Sequence, residues 1–375
     1  MYDNVAKEPR VPSGWDGLSR FVDERRLLAP AHAPRRPHGL VNLSNNVLVH
    51  PVTERLFERF AATHSPMGLA GYPELAPVKE AISEVYALPP QAFLLTAGSD
   101  LAIKELLFSM GARATCMILQ TPNYVGYESY ARQAGVEVVP VPHASGQPLV
   151  DDLAAEISAR EGSLVVVTTP NPVHGMALSS AQLEGLARHC REGKCLLVLD
   201  AAYMAYGGPD YSCLPMEHDN VVVIRSFSKS HGFAGLRAAL VIADPAITSY
   251  LARANLETPI SELTARFLEY CLRHEDEFVA ARRELIAGRE RMNALLRHSA
   301  PHWWVWESEG NFSACDARSE AAVDELHRHL RDHGFVFREL RRWSGYSSCF
   351  RITCADERTT TALERAIRTF DGPSR

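Results

Sequence analysis

Short apolar runs alternate with amphipathic segments through most of the chain. The runs Leu164–Thr168 and Val221–Arg225 are rich in β-branched residues, which is typical of buried strands. The segment Ser179–Cys190 instead places apolar residues at helical spacing, and Ser179 with Gln182 forms a capping-box sequence. Strands that alternate with helices form a mainly parallel sheet covered by helices on both faces, so the pattern predicts an α/β fold. Further strands are predicted at Phe93–Thr96, Cys116–Leu119, Val136–Val141, Leu196–Leu199 and Ala239–Ala243.

The C-terminal third has a different pattern. One long helical stretch, Glu262–Leu296, precedes three short apolar runs that are predicted as strands: Trp303–Trp306, Phe312–Cys315 and Cys349–Thr353. Because a chain of 375 residues is at the size limit of a single hydrophobic core, we expect a second, smaller α+β unit here.

These patterns predict three parts along the chain. An N-terminal arm at 1–40 is rich in Pro, Arg and His, with a short helix near Leu18–Arg26. A large domain follows at 41–265, and a small C-terminal domain occupies 266–375. A glycine-punctuated turn at 68–73 lies between two predicted helices of the large domain.

Composition excludes several classes of protein. The net charge of −6 leaves no basic surface for nucleic acid, and no apolar run approaches the length of a membrane span. The N-terminus lacks the basic and apolar regions of a secretory signal. The eight cysteines form no Cys-x-x-Cys pair, so we expect reduced cysteines, no metal site and a cytoplasmic location.

Polar side chains follow four of the predicted strands. They are Tyr124, Asn171, Asp200 and Lys229, with Tyr203 three residues after the aspartate. The carboxyl ends of parallel strands meet at one edge of a sheet, where such folds bind ligands. We therefore expect these side chains to lie close together.

The stretch from Ser226 to Arg237 contains the most informative chemistry. Strands beneath Lys229 would desolvate its amine, which lowers its pKa and makes it a nucleophile for a carbonyl. The hydroxyls of Ser226 and Ser228, the glycines and Arg237 suit a phosphate monoester. An amine nucleophile beside a phosphate site is what pyridoxal 5'-phosphate requires, since the lysine holds it as a Schiff base.

A second anion site is predicted at Gly98-Ser99-Asp100, a turn between a strand and a helix. Small residues there leave backbone N–H groups free at the positive end of the helix. Each of these signals has a simpler explanation when it is taken alone: a solvated loop, a helix cap or a core tyrosine. Their joint occurrence favours the cofactor site.

The chain resembles the fold-type-I, pyridoxal-phosphate-dependent class I/II aminotransferases. The pattern Ser-x-Ser-Lys-x-x-Gly-x-x-Gly-x-Arg at 226–237 is similar to that of the family, as is Asp200-Ala201-Ala202-Tyr203. The resemblance extends from about Leu43 to the C-terminus. It is nearest to the branch that contains histidinol-phosphate aminotransferase and threonine-phosphate decarboxylase. It implies an aspartate aminotransferase-like fold with a large cofactor-binding domain.

The resemblance also implies roles for individual residues. Lys229 would form the Schiff base and move the proton, while Asp200 would pair with the pyridine nitrogen. Asn171 and Tyr203 would bind the ring oxygen, and Tyr124 would stack on the ring. The phosphate would be held by Gly98, Ser99, Asp100, Ser226, Ser228 and Arg237, and by Tyr72 of the neighbouring subunit in a homodimer with shared active sites.

Two histidines depart from the family pattern. The family's Asn-Pro-Thr-Gly is here Asn171-Pro172-Val173-His174-Gly175, and His231 stands where a small or apolar residue is more frequent. Both can be ordinary loop histidines, or they can mark a modified chemistry.

Substrate recognition is assigned to the C-terminal part. The strand that contains Arg351 resembles the family strand whose arginine binds the substrate α-carboxylate, and a planar guanidinium suits a carboxylate. Arg338, thirteen residues earlier, would reach the distal end of the substrate, and Asn45 would contact it as well. A solvated basic loop around Arg338 is the alternative.

Three functions are compatible with the sequence. The first is an aminotransferase that moves an amino group between an L-amino acid, or an amino phosphate, and a 2-oxo acid. The second is a decarboxylase, lyase or cyclase that acts on an amino acid in a biosynthetic pathway. The third, a cofactor-binding regulator, is disfavoured because the N-terminal arm is too short for a DNA-binding domain.

Overall fold

The computed structural model describes residues 39–63, 70–143 and 149–370. The predicted arm at 1–40 and its helix near Leu18–Arg26 lie almost wholly outside the described residues, as does part of the turn at 68–73. The strands are β1 (Val41–Asn42), β2 (Phe93–Thr96), β3 (Met117–Thr121), β4 (Val138–Pro142), β5 (Leu164–Thr168), β6 (Leu196–Asp200), β7 (Val221–Ser226), β8 (Ala239–Ala243), β9 (Trp304–Val305), β10 (Phe312–Asp316), β11 (Phe335–Val336), β12 (Arg338–Glu339) and β13 (Cys349–Thr353).

The helices alternate with these strands. They are α1 (Val52–Thr63), α2 (Ala76–Tyr86), α3 (Ser99–Ser109), α4 (Gly126–Ala134), α5 (Leu149–Ala159), α6 (Ser180–Glu192), α7 (Leu214–Glu217), α8 (Phe227–Ser230), α9 (Pro245–Ala252), α10 (Glu262–Leu272), α11 (Glu275–Ser299), α12 (Glu320–Asp332) and α13 (Glu357–Arg368). Within the ranges that the structure describes, none of them is both long enough and apolar enough to cross a membrane.

A seven-stranded sheet forms the centre of the larger unit, in the order β2-β8-β7-β6-β5-β3-β4. Strands β4, β3, β5, β6 and β7 are parallel, and β8 runs antiparallel to both β7 and β2. The predicted, mainly parallel α/β sheet is therefore confirmed. Its register sets Thr168 beside Asp200 and Asp200 beside Ile224, so the carboxyl ends of three strands share one edge.

The strands of this sheet are buried on both faces. Val221, Val222, Val223 and Ile224 are fully buried, and successive residues contribute to separate apolar clusters on opposite faces. Burial of each such side chain contributes about 1.5–3 kcal/mol relative to exposure. Near-continuous β-branched runs are what a doubly covered parallel sheet requires.

A second, antiparallel sheet forms the smaller unit, in the order β12-β13-β10-β9. It packs against α11, α12 and α13 around a separate apolar cluster. Strand β1, at the start of the described chain, pairs in parallel with β11 and so joins this unit. The predicted domain limits at 40/41 and 265/266 stay a prediction.

The single helix predicted over Glu262–Leu296 is wrong, because the structure has two helices there. Helix α10 begins after Ser261, whose hydroxyl accepts from the Thr264 N–H, and ends at Leu272. Helix α11 begins at Glu275 with three acidic residues in its first turn, which favours a helix N-terminus at that point.

Helix α11 also connects the two units. The buried Arg289 guanidinium donates to the carbonyl of Gly310 at 2.7 Å and to that of Tyr206 at 3.3 Å. The Asn311 amide donates to the carbonyl of Asn46 at 2.9 Å. The carboxyl edge of the large sheet therefore faces the small sheet across a fixed junction.

Candidate active site

Lys229 lies at the junction of the two units. Strand β7 ends at Ser226, whose hydroxyl accepts from the Ser228 N–H and so caps the short helix α8 that contains the lysine. The Lys229 Nζ donates to the carbonyl of Asn45 at 2.9 Å. Burial, with a smaller contribution from the positive charge of Arg351, lowers the pKa of the Lys229 amine to about 8. About a fifth of this amine is therefore neutral at pH 7.4, compared with about one in a thousand for an ordinary lysine.

Asp200 ends strand β6 and is 4% exposed. The Tyr127 hydroxyl donates to its Oδ2 at 3.0 Å, and the Ala202 N–H donates to its Oδ1 at 3.0 Å. Burial raises the pKa of Asp200 to about 6, while these two hydrogen bonds act in the opposite direction. The group is therefore ionised at neutral pH although it is buried.

Tyr127 was missed by the sequence analysis. It lies on α4 and is almost fully buried, and a tyrosine on the apolar face of a helix looks like a core residue. Only the fold shows that its hydroxyl reaches the carboxylate.

Tyr203 is buried close to the small unit, with its ring edge-on to Phe312 at 5.6 Å between centroids. The Asn46 Nδ2 donates to the Tyr203 hydroxyl at 3.3 Å, and the Thr353 hydroxyl donates to Asn46 Oδ1 at 3.2 Å. Asn46 has φ of 50°, a left-handed conformation that Asn tolerates better than most residues. Sequence analysis chose its neighbour Asn45 and missed Asn46, because no local pattern separates the two.

The predicted anion site is a cradle at the N-terminus of α3. Gly98 precedes the helix with φ of 86°, and a Cβ there would lie 2.5 Å from a guanidinium nitrogen of Arg237. The Arg237 guanidinium bonds Asp100 Oδ2 at 3.0 Å, and the Tyr124 hydroxyl donates to Asp100 Oδ1 at 2.6 Å. The guanidinium thus lies at the start of α3, beside the free N–H groups of Ser99 and Asp100, an arrangement that fits a phosphate.

The Asn171 amide bonds its own loop and the loop that leads to Tyr124. Its Nδ2 donates to the Pro122 carbonyl at 2.9 Å, and its Oδ1 accepts from the Val173 N–H at 2.8 Å. No hydrogen bond among the described residues joins it to Asp200, Tyr203 or Lys229. The amide joins its own loop to the loop after β3, and its role as a ring-oxygen ligand stays a prediction.

Two arginines face the site from the small sheet. Arg351 on β13 pairs in register with Arg338 on β12. The Arg351 Nη1 donates to the carbonyl of Pro172, and its buried Nε has no partner among the described residues. Arg338 donates to the Ser44 carbonyl at 3.2 Å and to Asn45 Oδ1 at 2.9 Å.

Neither arginine forms an ion pair with an acidic side chain in the part of the chain that is described. Burial lowers the pKa of Arg351 to about 10. A buried guanidinium without a counter-ion costs free energy, and an anionic ligand would offset that cost. The pair therefore suits a substrate with one or two anionic groups.

Two predicted features lie apart from this centre. The Tyr72 side chain is 89% exposed and has no hydrogen bond among the described residues. His174 is fully buried with its ring edge-on to His143, at 4.8 Å between centroids, and its Nε2 is unpaired in the described structure. Burial lowers the pKa of His174 to about 3, so the imidazole is neutral.

Comparison with known proteins is consistent with this geometry. The family model described as "Aminotransferase class I and II" matches residues 38–370. The histidinol-phosphate aminotransferase of Chromobacterium violaceum is 28% identical over 339 residues, which are 88% of this chain and 92% of that protein. The one from Granulibacter bethesdensis is 30% identical over 298 residues, 78% of this chain and 79% of that protein.

Solved structures share the fold. The histidinol-phosphate aminotransferase of Sinorhizobium meliloti in complex with pyridoxal-5'-phosphate has a TM-score of 0.79 at 19% identity, over 96% of this chain and 99% of that one. A Thermus thermophilus aspartate aminotransferase has a TM-score of 0.71 at 20% identity, over 89% and 91% of the two chains. The predicted aspartate aminotransferase-like fold is thereby confirmed.

Proposed function

The chain belongs to the class I and II aminotransferase family, and from that membership we propose how its residues hold the cofactor and select the substrate. It is an aminotransferase that depends on pyridoxal 5'-phosphate, as predicted, and the resemblance to the histidinol-phosphate aminotransferase branch is confirmed. The observation that carries the proposal is that one sheet edge holds a half-buried lysine whose pKa is lowered to about 8 and a buried, ionised aspartate.

The residues present fit this cofactor. The cradle formed by Gly98 and Arg237 would be filled by any side chain at position 98, so the sequence keeps it open for a ligand group. The Asp200 carboxylate would hold the ring nitrogen in its protonated form, and Tyr127 keeps that carboxylate oriented. When bound, the cofactor supplies a ring that withdraws electrons from the substrate α-carbon.

Lys229 has two tasks in this proposal. Its amine, with a pKa near 8, is available as a nucleophile and can accept and return a proton at the substrate α-carbon. The Tyr203 hydroxyl, held by Asn46, would donate to the ring oxygen of the cofactor. In this proposal Asp200, Tyr203 and Asn46 orient the cofactor ring, and Lys229 moves the proton.

We propose that the two arginines bind the anionic groups of the substrate, at one end or at both. Arg351 would bind the α-carboxylate of an amino acid, and Arg338 would bind the distal group, assisted by Asn45. The names of the two relatives support an amino phosphate as one substrate. Because histidinol phosphate has no carboxylate, the Arg351 contact would then fall on the phosphate.

We also propose a cytoplasmic homodimer. The eight cysteines are free and all but Cys213 are buried, which suits a reducing compartment. The exposed phenol of Tyr72 has no hydrogen-bond partner among the described residues of its own chain, and it would reach the phosphate of the cofactor in the neighbouring subunit.

The first test is product analysis with a panel of amino acids and amino phosphates, with and without a 2-oxo acid. We expect stoichiometric transfer of the amino group to the 2-oxo acid, and loss of turnover in Lys229→Ala. Lys194→Ala is the matched control, since Lys194 is an exposed surface lysine that pairs with Glu161. Release of carbon dioxide, or turnover that does not need the 2-oxo acid, would instead indicate a decarboxylase, lyase or cyclase.

A second prediction concerns the distal group. For substrates with an acidic or phosphorylated tail only, Arg338→Lys should lower kcat/KM. The loss should be equivalent to about 1–3 kcal/mol of activation free energy, the size of one charge-assisted hydrogen bond. Arg351→Lys should lower kcat/KM by a similar amount for every amino-acid substrate. Arg341→Lys is the control, because Arg341 pairs with Asp324 on the surface. An equal loss for all tails in Arg338→Lys would refute the distal role.

A third prediction tests the shared site. Tyr72→Ala and Lys229→Ala should each be inactive as homodimers. After subunit exchange, a heterodimer contains one site with both residues intact, so an equal mixture should recover about a quarter of wild-type activity. Mass spectrometry of the intact dimers checks the exchange. No recovery despite proven exchange would show that Tyr72 acts in its own chain or not at all.

A further inference from the structure

A closed ring of buried polar contacts lies directly behind Lys229. The His231 Nδ1 bonds the Ser230 hydroxyl at 2.7 Å, and its Nε2 bonds Glu275 Oε2 at 2.7 Å. The Arg282 guanidinium donates to Glu275 Oε1 at 2.6 Å and to the Ser230 carbonyl at 3.3 Å. Ser230 and His231 are the two residues that follow Lys229. The ring of contacts therefore starts from and returns to the turn that contains the lysine.

Most of the ring is shielded from water, and the Glu275 side chain is 23% exposed. His231 is fully buried, and its ring packs against Phe278 at 4.6 Å and Phe227 at 5.2 Å between centroids. Burial alone would raise the pKa of Glu275, but His231 and Arg282 outweigh it and lower that pKa to about 2. The carboxylate therefore stays ionised inside the protein.

Packing alone does not explain such a cluster. Apolar residues of similar volume are frequently as stabilising as a buried ion pair, whereas the ion pair adds directional contacts that admit one geometry. The aromatic surroundings would accept an apolar side chain at position 231. His231 supplies the side-chain link from the lysine turn to Glu275 of α11, beside the contact of Arg282 with the Ser230 carbonyl.

Other contacts fix the same turn from the large unit. The Tyr206 hydroxyl donates to the Lys229 carbonyl at 2.7 Å, and the Thr53 hydroxyl donates to the His231 carbonyl at 3.0 Å. Gly232 has φ of 74°, and a Cβ there would lie 2.4 Å from Thr53 Oγ1. The backbone on both sides of the lysine is thus held in place, and the ring adds the contact with α11.

Helix α11 continues from this ring to the small unit. Two turns after Arg282, Arg289 bonds the Gly310 carbonyl next to β10. Arg291 bonds Glu357 at 2.7 Å and Glu364 at 3.1 Å on α13. One rigid helix therefore contacts both the lysine turn and the unit that contains Arg351.

We propose that His231 is a positioning residue for Lys229, which fixes the lysine turn to α11 and so sets the place of the amine relative to Asp200 and Arg351. The proposal rests on the function assigned to Lys229 above. It predicts that loss of the ring displaces the amine without removing any group that acts on it directly. The charged groups that act on the Lys229 amine are Arg351, Asp100, Asp200 and Arg237, and all of them stay.

The test uses the cofactor-free protein first. Reductive methylation of Lys229 is followed by peptide mass spectrometry as a function of pH in wild type and in His231→Phe. The midpoint of the pH profile of Lys229 methylation should lie near pH 8 in wild type. In the variant this midpoint should move up by about one pH unit, because the displaced amine regains water. His50→Phe is the matched control, since the His50 side chain is 8% exposed and pairs with Glu284 on the same helix, and no hydrogen bond among the described residues joins it to the lysine turn.

The loaded enzyme supplies the second readout. In His231→Phe, kcat should fall about 10- to 100-fold with KM changed less than about twofold, because a small displacement affects the reacting geometry more than binding. His231→Gln, which keeps one polar contact, should recover part of the loss. Glu275→Gln should act in the same direction and add little to His231→Phe, since both break one ring.

The outcomes separate the alternatives. If His231→Phe lowers the melting temperature but leaves the Lys229 midpoint and kcat of the folded enzyme unchanged, the ring is only structural and the proposal is wrong. If that variant does not fold, the same two readouts in Glu275→Gln decide. If the midpoint moves but wild type transfers no amino group, the positioning of Lys229 stands and the proposed function fails.

Discussion

The removal of water from the Lys229 amine is the constraint on which the rest of the site depends. An ordinary lysine is charged at neutral pH and is a poor nucleophile, whereas this amine has a pKa near 8. The fully buried strand β7 brings it to the sheet edge, and the facing small unit covers it. The same seclusion raises the pKa of Asp200 to about 6, so the protein must stabilise that carboxylate with Tyr127 and the Ala202 N–H.

The two sheets contribute different functions to this arrangement. The parallel sheet presents the carboxyl ends of its strands, where Lys229, Asp200 and the cradle at Gly98 lie. The antiparallel sheet presents the paired guanidiniums of Arg338 and Arg351. On the proposed function, the first unit would hold the cofactor and the second would bind the charged groups of the substrate, while hydrogen bonds of Arg289 on α11 and of Asn311 join the two units.

Sequence reasoning succeeded where local pattern and tertiary structure agree. The strands Leu164–Thr168 and Ala239–Ala243 have the predicted bounds, because short apolar runs that contain β-branched residues favour a buried strand. It failed where the decisive contact is long-range. Tyr127 and Asn46 look like core and loop residues until the fold brings them to Asp200 and Tyr203. The predicted long helix is interrupted because the acidic first turn of α11 favours a new start, and α5, α12 and α13 were missed as weakly apolar amphipathic segments.

The central claim is that Lys229 is the residue that holds the cofactor. Borohydride reduction of the loaded protein fixes the cofactor to the amine that bears it, and peptide mass spectrometry then locates the added mass. The account predicts one cofactor per chain, on the peptide that contains Lys229. An added mass on another lysine such as Lys104, or a fully loaded protein with none on Lys229, would contradict it.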